Sequence, residues 1–243
     1  MPSSEGIFIW ITKNVRLDKL LSNSTSFTRS QAKFAIRGGK VKIDGIVAKN
    51  AAQQVTEESN VEYMGVAVNK AQPRYIMFNK PTGVVCANKD KDHTTVFDSL
   101  FLPRIDTLHI AGRLDIDTTG LVLITDDGQW LHRITSPKHD HKKVYLVALD
   151  SPITEKQIRI LEEGVQLKKE KKRSLPAEIE VIEDQKIKMT ISEGKYHQVK
   201  RMLAAVGNHV VSLHRESIAN IQLDEKLEEG QWRELIEAEI QFD

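Results

Sequence analysis

The sequence predicts an α+β protein in two parts. A small head holds two helices and a hairpin, and a larger domain holds a mixed, mainly antiparallel sheet flanked by helices. Three observations carry this reading. The 243 residues, 40% of them apolar, suffice for two cores. Beyond Tyr75, strand-like and helix-like segments alternate without a regular βαβ beat, and several neighbours read as hairpins. Charge is also uneven: Lys13 to Lys49 carries +7 and Ile221 to Asp243 carries −6, both hidden in a net +1.

In the head, "RLDKLLSN" places Leu17, Leu20 and Leu21 at helical spacing. The segment "TRSQAKFAIRGG" opens with Thr28 and Gln31 at capping-box spacing and closes on Gly38-Gly39. One face of this helix carries Ala32, Ala35 and Ile36; the other carries Arg29, Lys33, Arg37 and Lys40, one turn apart. No carboxylate stands four residues away to pair with these cations, so the stripe suits a polyanion better than a merely solvated face. Phe34 is the one aromatic beside it, which favours contacts to a nucleic-acid backbone. "KVKIDGIV" then alternates around the tight-turn pair Asp44-Gly45.

In the larger part, "RYIMFNKP", "GLVLIT", "KKVYLVAL", "AEIEVIE", "KIKMTIS" and "NHVVSLHR" read as strands. "DDGQWLHRITS", "TEKQIRILEEG" and "YHQVKRMLAAVG" read as helices. In the last of these, Val199, Met202, Leu203 and Val206 make a buried stripe, while His197, Lys200 and Arg201 crowd its N-terminal end. Cations there oppose the helix dipole, a conflict that a nearby anion would resolve. Asp115 is a candidate for that anion. It stands with Arg113 and Asp117 at the mouth of the apolar run Leu121 to Thr125, where a charge needs a partner. The lysine-rich 168–173 segment reads as an exposed loop.

Other chemistries fit less well. Residues 115–126 approach a calcium loop, but Asp126 stands where a long bidentate Glu is needed, and paired flanking helices are missing. His139 and His141 have no Cys or Glu cluster to complete a metal site. No Gly-x-Ser-x-Gly elbow and no Walker lysine occurs. The single Cys86 excludes an internal disulfide and favours a reducing compartment. The apolar "IFIWI" at the start is too short to span a bilayer, so a soluble, cytoplasmic protein without membrane contact is expected.

Two resemblances sharpen the reading. "RLDKLL…TRSQAKFAIRGGKVKIDG" resembles the S4 RNA-binding domain, which implies an RNA surface including Arg16, Lys19, Arg29, Lys33, Arg37 and Lys40. "NKPTGVV", "AGRLDIDTTGLVLITDDGQWLHRITSP", "KKVYLV" and "SEGKYHQVKRMLAAVGNHVV", in that order, resemble the motifs of the RsuA branch of pseudouridine synthases. Within that branch the wording is most similar to the enzyme acting on 16S ribosomal RNA. Residues 1–14 match nothing in the family and are expected to be an extension, followed by the S4-like head at 15–67, a linker at 68–74 and the catalytic domain at 75–243.

The resemblance implies an isomerase that needs no cofactor or metal. It breaks the bond between uracil and ribose, turns the base and rejoins it through carbon 5. Asp115 would be its essential carboxylate, acting as nucleophile or as base, with Lys200 as the neighbouring cation where many members carry Arg. Tyr145 would pack against the target base, or else be an ordinary strand aromatic. Arg113 would accompany a flipped nucleotide. Lys80, in "NKP", would contact backbone phosphate or hold a strand end, and His197 and Arg201 join the RNA contacts. Asp117, Asp126 and Asp127 take turn and helix-capping roles. The implied partner is 16S ribosomal RNA, alone or in a partly assembled small subunit, met by a monomer. A large-subunit synthase of the same branch and a non-catalytic assembly factor are the rival readings.

Overall fold

The computed structural model describes residues 14–56, 58–69, 72–136 and 139–241. The expected extension, Asn14 excepted, lies outside the described residues, as do Lys70 and Ala71 of the expected linker. The chain divides into two compact units, one ending at Gln72 and the other starting at Pro73.

The head begins with β1 (Val15–Arg16), α1 (Leu17–Ser24) and α2 (Arg29–Arg37). The expected capping box closes the start of α2: Thr28 Oγ1 accepts from the Gln31 amide at 3.3 Å, and Gln31 Oε1 accepts from the Thr28 amide at 2.8 Å. Strands β2 (Val41–Ile43), β3 (Ile46–Val47), β4 (Gln54–Val55), β5 (Val61–Tyr63) and β6 (Val66–Ala67) complete it. The four-stranded sheet runs β3-β2-β5-β6, and β1 pairs with β4. Asp44-Gly45 makes the expected tight turn with positive φ at both residues. A second hairpin, turning at Met64-Gly65 with the same signs of φ, went unread because Met is a poor signal for a left-handed residue. Leu17, Leu21, Ala32, Ile36, Val41 and Val61 share the core of the head.

The larger unit contains β7 (Tyr75–Lys80), β8 (His109–Ala111), β9 (Thr119–Thr125), α3 (Gly128–Thr135), β10 (Lys143–Leu149), α4 (Glu155–Glu162) and β11 (Glu178–Glu183). It continues with β12 (Lys186–Ile191), α5 (Gln198–Ala205), β13 (Val210–Ile218), β14 (Ile221–Gln222), β15 (Trp232–Glu234) and α6 (Glu237–Ile240). The sheet runs β11-β12-β10-β13-β9-β7-β15, with β8 on β9 and β14 on β13. Every pairing in it is antiparallel except β13 with β9. The expected mixed, mainly antiparallel sheet is therefore two antiparallel halves joined at one parallel seam.

Strand β9 explains its own apolar run. Val122 and Ile124 enter one core with Phe78, Tyr145, Val147, Met202 and Leu203. Leu121 and Leu123 enter the core on the other face with Met77, Trp130 and Ile134. A strand buried on both faces loses the alternation of a half-exposed one. Helix α5 covers the first face through its stripe, and α3 covers the second, so β9 is clamped between helices.

Candidate active site

The loop leading into β9 is built to hold Asp115 still. Leu114 is buried in the core like a plug beside Asp115. The Lys80 ammonium, fully buried at the end of β7, donates to the carbonyls of Pro81 (2.9 Å), Ile116 (3.3 Å) and Thr118 (2.7 Å). The Gly83 amide donates to Ile116 O at 2.8 Å, and the Thr118 amide closes a turn onto Asp115 O at 3.1 Å. Burial lowers the Lys80 pKa, and three carbonyl acceptors compensate its charge. Lys80 is thus no phosphate contact. Of its two expected roles, the phosphate contact is corrected and the structural one stands: it is the clip that fixes the Asp115 loop from below.

Opposite this loop stands the N-terminal end of α5. His197 adopts a left-handed backbone, φ 48°, that no glycine relieves. This turn brings His197 Nε2 to 3.2 Å from Asp115 Oδ1, while Lys200 Nζ lies 3.4 Å from Asp115 Oδ2. Lys200 also donates to Asp117 Oδ1 at 2.5 Å, and that bond holds the Asp117 carboxyl below its usual range. The cations that oppose the helix dipole are thereby answered by two carboxylates rather than one. Asp117, expected only to shape a turn, shares the ammonium. Buried Gln198 steadies the same turn, accepting from the Lys195 amide at 2.9 Å and donating to Glu193 Oε2 at 2.7 Å.

Asp115, Tyr145, Lys200, His197 and Arg113 line one cleft of about 530 Å³, a size typical of small-ligand pockets. The Asp115 side chain is 26% exposed, neither dry nor in bulk solvent. Tyr145 is buried in the wall, and Arg113 is exposed at the mouth. Arg201 departs from expectation. It donates to Glu170 Oε1 (3.1 Å), Tyr196 O (3.0 Å) and Lys168 O (2.5 Å), so it ties down the exposed lysine-rich loop rather than reaching for RNA.

Lys19, Lys33, Arg37 and Lys40 of the head are exposed, as the basic stripe requires. Its first member is not unpaired, however. Asp18 of α1, with its side chain out of solvent, accepts from Arg16 at 2.9 Å and from Arg29 at 3.2 Å. The Arg16 bond, with Arg29 assisting against burial, holds the Asp18 carboxyl at about 2. Sequence spacing within α2 could not reveal a partner supplied by the neighbouring helix.

Two further cleft residues escaped the sequence reading. Arg215 and Lys143 both line the cleft. Their strand positions gave no signal, because a basic residue in an alternating strand usually faces water.

A fold joining a basic helix-helix-hairpin head to a mixed sheet, with a fixed carboxylate between cations in a nucleoside-sized cleft, is that of an RNA-modifying enzyme. The chain belongs to the RNA pseudouridylate synthase family, whose model matches residues 74–205, and an S4 domain model matches residues 15–61. It is 52% identical to the ribosomal small subunit pseudouridine synthase A of Escherichia coli strain K12 over 227 residues, 93% of this chain and 98% of that protein. It is 48% identical to the protein of the same name from Haemophilus influenzae over 228 residues, with the same coverage. A crystal structure of a pseudouridylate synthase superposes with a TM-score of 0.68 at 48% identity, covering 93% of this chain and 98% of that one. The enzyme is thus an isomerase of RNA uridine, with an S4 head as expected.

Proposed function

We propose that this enzyme converts one uridine of 16S ribosomal RNA to pseudouridine, with Asp115 as the essential carboxylate. One observation carries the assignment of the site: Asp115 sits on a loop clamped from below by Lys80 and faces two donors, Lys200 and His197, across a cleft walled by Tyr145. The small-subunit substrate rests on the relatives' names and on a match spanning nearly their whole length.

The reaction needs a uridine lifted out of its stack, because C1′ cannot be reached inside a folded helix. Arg113 at the cleft mouth is placed to meet the strand that the base leaves. Within the cleft, Tyr145 packs against the ring. Asp115 then attacks C1′ or removes a ribose proton, while Lys200 and His197 hold its two oxygens apart and aimed. The exposed cations of the head contribute affinity through phosphate contacts and leave the choice of base to the cleft. The enzyme works as a cytoplasmic monomer on free RNA or a partly assembled small subunit. Among the described residues, no helix is long and apolar enough to cross a membrane.

Tritium release from carbon 5 of labelled 16S RNA, followed by mapping of the modified position, tests this reading. Release from 16S RNA or its assembly particles, and not from large-subunit RNA, is expected. Release only from large-subunit RNA would move the substrate. No release from either would leave an RNA-binding assembly factor.

A further inference from the structure

Arg215 is the largest unexplained polar group in the larger unit. It is 2% exposed, yet among the described residues only its Nε has a hydrogen-bond partner, Leu121 O at 2.9 Å. Its Nη2 is buried with no hydrogen-bond partner among the described residues. Leaving a guanidinium donor unsatisfied in a dry place is costly, and a folded protein tolerates it where a ligand completes the bond.

The fold goes to some length to put this group where it is. Arg215 is the direct cross-strand partner of Tyr145, so the two side chains rise from the same face of the sheet, with Cβ atoms ~5 Å apart as such pairs have. Lys143 lies two residues from Tyr145 on the same strand and face, its Nζ anchored on His141 O at 2.8 Å. All three line the cleft that holds Asp115. Burial, with Arg215 beside it, lowers the Lys143 ammonium to about 8. Among the described residues neither cation has a carboxylate within ion-pair distance, although Asp115 and Asp117 stand on the facing loop with cations of their own.

We infer that Arg215, seconded by Lys143, is the seat for the uracil after it leaves the ribose, donating to its carbonyl oxygens and balancing its charge. The inference rests on the function proposed above and specifies the part of that site that handles the base. When the C1′–N1 bond breaks, its electron pair stays on the base, whether Asp115 forms a bond to C1′ or takes a ribose proton. The free base is then an anion, with charge spread over N1, O2 and O4. It must turn before C5 joins C1′ and the C5 proton leaves. A fixed buried cation under the ring stabilises this species and prevents its escape during the turn. A phosphate is the poorer occupant, since Arg215 lies in the wall beside the base-packing phenol and not at the exposed mouth where the strand passes.

Single-turnover rates at saturating RNA, together with RNA Kd, test this in Arg215→Met, Arg215→Lys and Lys143→Gln. Arg215→Met is expected to slow turnover by about 100-fold or more with Kd nearly unchanged, and Arg215→Lys to recover part of the loss. The defect should shrink on RNA carrying 5-fluorouridine, whose ring fluorine makes the departing base less basic, when C1′–N1 cleavage is followed. A weakened Kd with a normal saturating rate would overturn the inference in favour of a phosphate contact. An equal defect on both substrates would also overturn it, leaving Arg215 a structural role. Should Arg215→Met fail to fold, Lys143→Gln decides: a saturating rate about tenfold lower supports the seat, and an unchanged rate refutes it. Unimpaired variants of an active enzyme sink this inference alone, whereas a parent enzyme that releases no tritium sinks the proposed function with it.

Discussion

The cost of placing charge beside a buried strand is met residue by residue. Lys80 offers the plainest case, a fully buried ammonium whose protons are spent on the main-chain carbonyls of Ile116 and Thr118 in the Asp115 loop and of its own neighbour Pro81. Lys80→Met would strand those acceptors and is expected to cost about 3 kcal/mol, read as a lower thermal midpoint, with loss of turnover beyond the loss of folded protein. A melting curve matching the parent would show that the clip contributes little. The "NKP" motif kept a structural alternative open for this lysine, but nothing in it says that two of the three acceptors, Ile116 O and Thr118 O, come from the loop that carries Asp115. That Asp115, Tyr145 and Lys200 meet in one cleft was legible because the motifs that carry them stand in order along the chain. The places of Arg215 and Asp117 were not, since they depend on which strand lies beside which and on where a helix end falls.

At the scale of elements, the parallel seam between β9 and β13 sets the geometry of the cleft. Gly120 pairs with Arg215 there, and its φ of +100° is one that side chains rarely adopt. A Cβ at this position would meet Arg215 main-chain atoms, the nitrogen at 2.7 Å. Gly120→Ala should therefore cost about 3 kcal/mol or more and pry the seam apart. Gly112→Ala, with positive φ but nothing within 4 Å of the new carbon, should cost only about 1 kcal/mol. Equal losses in urea melts would show that strain, and not close approach, governs both. Helix pairing in the head makes a second element-scale prediction. Asp18 links α1 to Arg29 of α2 and to Arg16, with its pKa depressed to about 2. Since the unfolded carboxyl titrates near ~4, the contribution is complete above that pH and fades as pH falls toward 2. Amide exchange in α1 and α2 should accelerate over that window, and Asp18→Asn should flatten the response. The amphipathic helices and the Asp44-Gly45 hairpin were readable from spacing alone. The Met64-Gly65 turn was not, because Met gives no sign of a left-handed residue, and the short strands β8 and β15 were not, because they exist only through pairing with β9 and β7.

Across the whole molecule, charge and chemistry are divided between the two units. The head carries the basic stripe, and the larger unit carries the half-buried cluster around Asp115. If affinity comes from phosphate contacts, replacing Lys33, Arg37 and Lys40 together by Gln should lower the slope of log K against log salt by about 2–3 while leaving the saturating rate in place. An unaltered slope would mean that the RNA is gripped elsewhere. In the acidic segment beyond Ile221, Arg233 bonds Asp224 at 2.8 Å and Glu239 at 2.8 Å, which fixes these two carboxylates in place. The most direct measurement of the central claim pairs tritium release with RNA binding for Asp115→Asn on the same 16S fragment. Release lowered by at least about 1,000-fold with Kd within about threefold of the parent is expected if Asp115 is the essential carboxylate. Release persisting near the parent rate would contradict it.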